Sequence, residues 1–193
     1  MTANLPAPIL DAQVRAYDIE HLTREPAGAD EIDPGERRLM SWILPPFQRG
    51  EVWSDEQKSR FIESIFLGLN ATSYVAVPFD WEQVGDKARR APRAGWLLDG
   101  QQRISSIRDF LADAIEVFDG VRWSDLDARQ KRFFMRQPFP CCMVDRALDE
   151  GALHEIYERL AYGGTPHEPK QDVRRDLQDD DPYAYGWNDA PEP

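Results

Sequence analysis

Residues 95–104, Gly-Trp-Leu-Leu-Asp-Gly-Gln-Gln-Arg-Ile, constrain the fold of this chain more than any other stretch. Three apolar residues lead directly into Asp99-Gly100, and beyond that pair the apolar residues recur at the spacing of a helix. The recurring residues are Ile104, Ile107, Phe110 and Leu111. The pattern predicts a short buried strand, a tight turn and then a helix.

The predicted strand-to-helix junction suits an anion such as a phosphate, because a helix N-terminus has unpaired N–H groups and a positive dipole end. Gly100 permits a tight bend and the close approach of a ligand. Arg103 can bind phosphate through two N–H groups, Asp99 can hold a metal ion or a water molecule, and Gln101 and Gln102 add amides. On local chemistry alone, an ordinary Asp-Gly turn with a solvated Arg103 remains the alternative.

Composition limits the classes of function. The 193 residues suffice for one domain with a real core, and the net charge of −12 argues against a protein that grips nucleic acid over a broad surface. Much of the acidity lies near the C-terminus, so a confined basic cleft in the body stays compatible with the sequence. The acidic residues there are Asp172, Asp176, Asp179, Asp180, Asp181, Asp189 and Glu192.

Cysteine usage and the N-terminus predict a cytoplasmic protein that does not enter a membrane. Cys141 and Cys142 are adjacent and cannot form a disulfide framework or a metal cage. Residues 1–10 lack the basic start and apolar centre of a signal peptide, and no apolar run reaches the roughly 18 residues that a membrane span needs.

Periodicity along the chain predicts an α+β fold. Residues 1–8 are expected to be disordered, 9–168 to form the folded domain, and 169–193 to be an acidic, flexible tail. Residues 9–22 fit a helix, or a strand followed by a short helix. The first half of the remaining chain is expected to form a strand at 38–44, a helix opened by the capping box Ser54 to Gln57, a strand at 73–79 and a basic loop at 82–95. The second half is expected to form a hairpin at 115–123, a helix capped by residues 124–127 that runs to about Met135, a strand at 139–144 and a helix at 148–160.

Three polar clusters carry a resemblance to a known family. They are Pro46-Phe47-Gln48-Arg49 with Trp53 shortly after, the complete Asp99-Gly100-Gln101-Gln102-Arg103, and residues 156–166. In their order along the chain and in their residue types, they resemble the motifs of the N-terminal domain of GmrSD-type, modification-dependent restriction enzymes. That domain has Gln-Arg with a following Trp, then Asp-Gly-Gln-Gln-Arg opening a helix, then a late Phe-x-Arg-x-Asn before a Gly-x-Pro.

The resemblance implies a ParB/sulfiredoxin-like fold, a small mixed sheet with flanking helices. It also implies a domain that binds and hydrolyses a nucleoside triphosphate in bacterial or phage defence, using Mg²⁺ or another divalent metal. By this resemblance the catalytic residues are Asp99, which also holds the metal, with Gln101, Gln102 and Arg103. The implied phosphate-binding residues are Gln48, Arg49, Gly100 and Arg159.

The chain departs from the family pattern at positions that bear on catalysis. Ala161 stands where the third motif has Asn, which removes a polar side chain expected in the pocket, and His167-Glu168 replaces the usual Leu-Thr/Ser. The restriction enzymes continue into a His-Asn-His nuclease domain, for which residues 169–193 are too few. We therefore expect that any nuclease lies elsewhere, or that this protein does not cut.

Three functions compete on this evidence. The first is a metal-dependent NTPase, rather than a stand-alone nuclease, that admits DNA only through a confined site. The second is a non-catalytic module that senses a nucleotide or a nucleic acid. The third is an inhibitor or interaction protein whose acidic tail occupies a basic protein partner. For two residues a structural role is also open, since Arg49 could pair with an acidic neighbour and Trp53 could belong to the core.

Overall fold

A four-stranded mixed sheet is the central element of the computed structural model, which describes residues 7–25, 32–69, 72–144 and 148–162. The strands in chain order are β1 Ala12–Arg15, β2 Arg37–Leu39, β3 Trp42–Leu44, β4 Tyr74–Ala76, β5 Trp81–Val84, β6 Lys87–Arg90, β7 Leu97–Asp99 and β8 Cys141–Val144. The helices are α1 Asp55–Phe66, α2 Gln101–Leu111, α3 Ala128–Met135 and α4 Glu150–Tyr162, with 3-10 turns at Ile19–Thr23 and Trp123–Asp125.

The sheet has the strand order β1-β8-β4-β7, so β1 and β7 are its two edges. Strands β4 and β8 are parallel, while β1–β8 and β4–β7 are antiparallel. Helices α1, α2 and α4 flank this sheet. The predicted α+β class, with a small mixed sheet and flanking helices, is confirmed.

Alternation along β4 divides the core between the two faces of the sheet. Tyr74 and Ala76 pack with the apolar side of α1 and α2, whereas Val75 packs with α4. The helical residues on the first side are Ile62, Ile65, Ile104, Ile107 and Phe110, and those on the second are Leu153 and Ile156. Because α2 follows β7 without a loop, this packing also fixes where the helix begins.

Both cysteines lie in strand β8, as predicted, and Cys141 belongs to the core. Its side chain is fully buried in the α1–α2 side of the core, and burial raises the pKa of its thiol to about 12. Cys142 is half-buried and packs toward α4. The predicted strand at 139–144 is therefore present, as β8.

Two segments form hairpins that the sequence prediction did not include. The expected strand at 38–44 is a hairpin, in which Leu39 pairs with Trp42 across a two-residue turn and Met40 has φ 51°. The expected basic loop at 82–95 contains the hairpin β5–β6, whose strand residues are mostly exposed and charged. Exposed charged strands have no apolar alternation, so periodicity could not reveal them.

Ion pairs anchor the β5–β6 hairpin to the body. Arg90, which is buried, contacts a carboxylate oxygen of the buried Glu36 at 2.5 Å and one of Asp33 at 3.2 Å. The other Glu36 oxygen accepts a hydrogen bond from the Trp96 indole. The hairpin is therefore tied to the segment that precedes β7.

Local capping explains the remaining boundaries. The Ser54–Gln57 capping box is present and begins α1 at Asp55. Helix α3 begins directly after the predicted capping segment 124–127, because the Asp127 side chain accepts hydrogen bonds from the first-turn amides. Residues 115–123 form one antiparallel bridge, Val117 to Val121, instead of a hairpin of two strands.

The described residues contain no helix with both the length and the apolarity that crossing a bilayer requires. The predicted acidic tail at 169–193 and most of the predicted disordered N-terminus at 1–8 lie outside the described residues.

Candidate functional site

A small polar pocket of about 120 Å³ lies where β7 meets α2, and we call it the junction pocket. It brings together residues from three parts of the chain: the loop before α1, the β7–α2 junction, and two successive turns of α4. Its lining residues are Gln48, Arg49, Trp53, Leu98, Asp99, Gly100, Gln101, Gln102, Arg103, Tyr157 and Ala161. Of the eight site residues named from the sequence, seven line this pocket.

Gly100 makes the close strand-to-helix junction. Its φ is 103°, and a Cβ at this position would lie 2.5 Å from the Cβ of Tyr74. Gly100 is also the N-cap of α2, and no side chain in the described part of the chain caps the helix there. The first N–H groups of α2 are thus available to an anion at the pocket.

Asp99 and Arg103 form an ion pair one turn apart. The Asp99 Oδ2 atom lies 2.5 Å from an Arg103 guanidinium nitrogen, which also donates to the carbonyl of Ser73 at 2.9 Å. The Arg103 Nε atom is buried and has no hydrogen-bond partner among the described residues. Asp99 therefore holds the guanidinium at the pocket while both side chains remain partly exposed.

Gln102 holds the loop that carries Arg49 and Trp53. Its Oε1 atom accepts hydrogen bonds from the backbone N–H groups of Val52 at 3.0 Å and Trp53 at 3.1 Å. Its Nε2 atom donates to the carbonyl of Gly50 at 3.3 Å. The residue lines the pocket, but its amide oxygen is directed at the loop backbone.

Unlike Gln102, the side chains of Gln101 and Gln48 have polar atoms without hydrogen-bond partners among the described residues. Gln101 is 4% exposed, and neither polar atom of its amide has a hydrogen-bond partner within the described ranges. Gln48 is 8% exposed, and its Oε1 atom is likewise unpartnered among those residues. Buried amides almost always have partners, so these atoms indicate that the pocket binds a water molecule or a ligand.

Helix α4 supplies the far wall of the pocket. The Tyr157 hydroxyl accepts a hydrogen bond from the backbone N–H of Arg49 at 3.2 Å, and the Tyr157 ring packs against Phe47 at a centroid distance of 5.2 Å. Ala161 lies one turn beyond Tyr157 and also lines the pocket. The position where the family pattern has Asn thus faces the same pocket as Asp99.

Arg159 is the one predicted site residue that does not line the pocket. It is exposed, and its guanidinium pairs with Glu155 one turn back on α4, at 2.8 Å. Trp53, by contrast, lines the pocket and packs edge-on against Phe61, with 5.8 Å between ring centroids.

A charged cluster behind the pocket was not anticipated from the sequence. The buried Lys58 ammonium contacts Glu51 at 2.9 Å and Asp109 at 2.5 Å, and Arg108 contacts the same two carboxylates. Burial alone would lower the pKa of Lys58, but hydrogen bonds to Asp109 and Glu51 raise it. In the same way, Lys58 and Arg108 outweigh burial and lower the pKa of Glu51.

Neither this cluster nor the contact between Arg49 and Tyr157 has a local sequence signature. Lys58 and Asp109 lie 51 positions apart, and Arg49 and Tyr157 lie 108 apart. A Lys and an Asp on the polar faces of two predicted helices give no sign that the helices will bring them together. The one available signal was that Lys58 lies only a turn from the core position Ile62.

The pocket has few ligands for a metal ion. Among the described residues no three His, Cys, Asp or Glu side chains cluster in a way that could hold one, and Asp99 is the single carboxylate among the residues that line the pocket. The neighbouring oxygen donors are the unpartnered amide oxygens of Gln101 and Gln48.

The family comparison identifies this α+β domain as a component of a restriction-type defence system. Residues 31–181 match the family described as GmrSD restriction endonuclease, N-terminal domain. The match covers well over half of the chain, and the chain belongs to this family. Comparison with curated proteins and with solved structures gave no match.

Proposed function

We propose that the junction pocket binds the phosphates of a nucleoside triphosphate and that the protein hydrolyses it with a divalent metal. The observation that carries the proposal is Gln101, a buried amide in the first turn of α2 whose polar atoms have no partner among the described residues. An amide in that state at an uncapped helix N-terminus is matched by a ligand with oxygen atoms and bound water.

The size and charge of the pocket favour the phosphate end of a nucleotide. A volume of about 120 Å³ is well below the roughly 300–1,000 Å³ of pockets that enclose a whole small ligand. Arg49 and Arg103 both line it, and they face one carboxylate, Asp99. A phosphoryl group therefore fits the interior, and the nucleoside would lie outside.

The donor set fits a metal ion that arrives with phosphate. Mg²⁺ prefers oxygen ligands and is commonly held by one or two carboxylates together with substrate phosphates and water. Asp99 would be the protein carboxylate, with the amide oxygens of Gln101 and Gln48 nearby. Such a metal would neutralise negative charge on the phosphates.

Each residue of the pocket then has a separate role. Arg103 and Arg49 stabilise negative charge on the phosphoryl group, and Asp99 keeps the Arg103 guanidinium in position. Gln101 and Gln48 orient the attacking water through their amide oxygens. Gln102 keeps the loop of Arg49 and Trp53 against the pocket.

The test is phosphate release from a panel of nucleoside triphosphates with Mg²⁺, in the presence and absence of DNA. Asp99→Asn and Gln101→Leu preserve side-chain shape, and each is expected to lower turnover by at least tenfold. Asp86→Ala, in the exposed turn between β5 and β6, is the matched control and should leave turnover unchanged. Full turnover in folded Asp99→Asn and Gln101→Leu proteins would contradict the proposal.

Ala161 favours a second candidate, a sensor that binds nucleotide without hydrolysing it. Where the family pattern supplies an amide, this chain supplies a methyl group that lines the pocket. A sensor would show saturable nucleotide binding in calorimetry without phosphate release. If hydrolysis is merely weakened, Ala161→Asn should increase turnover, whereas in a true sensor it should change affinity alone.

DNA and a protein partner are further parts of the proposal. Stimulation of phosphate release by DNA would support a confined DNA site. Deleting residues 169–193 separates a role of the acidic segment from the activities of the folded domain. Phosphate release and nucleotide binding should survive the deletion, whereas binding of a basic protein partner through the acidic segment should be lost. A cytoplasmic location stays a prediction from the sequence.

A further inference from the structure

A large cavity lies at the opposite edge of the sheet from the junction pocket. It has a volume of about 900 Å³ and runs along β1, whereas the junction pocket lies at the end of β7. We call it the edge groove. Its volume falls within the roughly 300–1,000 Å³ of pockets that enclose small ligands.

Aromatic rings form much of the wall of the edge groove. The rings of Tyr17 and His21 stack at a centroid distance of 3.6 Å and an angle of 12°, and Trp42 stacks on Phe79 at 5.7 Å and 29°. His21 lies 6.4 Å from Trp42, which joins the two pairs. Tyr17, His21 and Phe79 are half-buried, so part of each side chain is accessible within the groove.

Ser41 supplies an unpartnered polar group at the groove. It lines the groove and is 4% exposed, and its Oγ atom has no hydrogen-bond partner among the described residues. The neighbouring Trp42 indole N–H, by contrast, interacts with the buried Tyr74 hydroxyl. A buried hydroxyl of this kind is matched by a ligand or an ordered water, and next to stacked rings it suits the polar edge of a planar ring.

The positive and negative side chains that line the groove are equal in number. Arg15 and Arg24 line it together with Asp11 and Glu25. Burial and the neighbouring Arg24 lower the pKa of His21, so its ring is neutral at neutral pH. A triphosphate would meet two carboxylates here, so the groove favours a ligand without net charge.

We propose that the edge groove binds an uncharged heteroaromatic ring of the purine or pyrimidine type, independently of the junction pocket. The ring stacks on the Tyr17, His21 and Phe79 side, and its hydrogen-bonding edge meets the Ser41 hydroxyl. The ring can come from a free nucleoside or from a base of a single strand, because both present the same chemistry.

The test uses nucleosides, which lack the phosphates that the junction pocket needs. Adenosine, guanosine, cytidine and uridine are titrated into the full chain, with the assigned indole N–H signal of Trp42 as the readout in nitrogen-15 NMR spectra. At least one nucleoside should shift this signal saturably and leave the Trp123 indole unchanged. No saturable shift with any of the four nucleosides would overturn the proposal.

Matched variants separate a built site from surface stacking. His21→Leu should weaken nucleoside binding by about fivefold to a hundredfold, the range measured for loss of one base-stacking partner. Ser41→Ala should weaken it by about twofold to tenfold, the range expected for loss of one hydrogen bond. His154→Leu, the same substitution on α4, should leave affinity unchanged. Equal affinity in wild type, His21→Leu and Ser41→Ala would overturn the proposal, whichever nucleoside binds.

Competition then identifies the source of the ring. Displacement of the nucleoside by a single-stranded deoxyoligonucleotide, lost in His21→Leu, supports the proposal with a base of a strand as the ligand. Binding of the nucleoside that the oligonucleotide does not disturb supports it with a free nucleoside. The outcome of phosphate-release assays at the junction pocket bears on neither result.

Discussion

Gln101 and Gln102 are neighbours in sequence and in the first turn of α2, yet they belong to two different regions. Gln102 faces the loop before α1 and makes three hydrogen bonds to its backbone. Gln101 faces the junction pocket, and its amide has no partner among the described residues. The satisfied amide belongs to the support of the site, whereas the unsatisfied amide belongs to the site itself.

The same contrast extends outward from the two glutamines. Behind the pocket, Lys58 neutralises Glu51 and Asp109 within a network that includes Arg108. In the pocket, by contrast, polar atoms of Gln48 and Arg103 remain unpartnered within the described part of the chain. Substitutions in the support should therefore reduce stability first, and substitutions in the pocket should reduce ligand binding first.

Gly100→Ala should have the largest effect, because it changes the junction that both regions share. A methyl group would meet the Cβ of Tyr74 at 2.5 Å in a backbone conformation with φ 103°. We expect a loss of at least about 3 kcal/mol in the free energy of unfolding, measured by chemical denaturation. Gly50→Ala is the control, since no described atom lies within 4 Å of a Cβ there and its φ is not positive. It should cost less than about 0.5 kcal/mol.

Lys58→Met should have the next largest effect and acts on the support alone. It leaves the carboxylates of Glu51 and Asp109 without their buried cation, with Arg108 as partial compensation. We expect a loss of about 2–3 kcal/mol by denaturation. Arg60→Met removes an exposed pair with Glu56 and should cost less than about 0.5 kcal/mol. Equal losses in the free energy of unfolding for the two variants would show that the Lys58 cluster does not stabilise the fold.

The paired variants Gln101→Leu and Gln102→Leu give the sharpest comparison. Gln102→Leu leaves two backbone N–H groups and a carbonyl unpaired, which should cost about 1–3 kcal/mol of stability. Gln101→Leu breaks no hydrogen bond among the described residues and should change stability by less than about 0.5 kcal/mol. Calorimetric titration with a nonhydrolysable triphosphate should show the larger loss of affinity in Gln101→Leu. The reverse order in both measurements would remove the distinction between support and site.

The smallest expected effect is a pH dependence at the edge groove. The pKa of His21 is lowered in the folded protein by burial and by Arg24, so the unfolded chain binds the proton more readily. The stability associated with neutral His21 is present above its unfolded pKa of about 6.5 and is lost as the pH falls through the folded pKa. Thermal unfolding of wild type and His21→Phe across this window should show a smaller decline in the variant. Parallel curves would rule out His21 as the source.

The sequence alone determined those features whose signals are local. The strand, turn and helix around Asp99-Gly100 follow from periodicity and from the conformational freedom of glycine, and the capping box at Ser54 follows from residue types three positions apart. The motif likewise indicated the family, because Gln48-Arg49 and Asp99–Arg103 are read directly from the chain. In each case the physical cause acts within a few residues.

Tertiary structure decided which of those polar residues have partners. Gln101 and Gln102 are identical in type, and their difference depends on the loop at residues 50–53, some fifty positions away in sequence. The hydrogen bond from Arg49 to Tyr157 and the cluster around Lys58 arise in the same way. The hairpin at Met40-Ser41 escaped prediction because its turn places Met40 at a positive φ, where Gly or Asn is usual. Partner choice for a polar atom depends on geometry brought together by packing of the core, and no local pattern encodes that geometry.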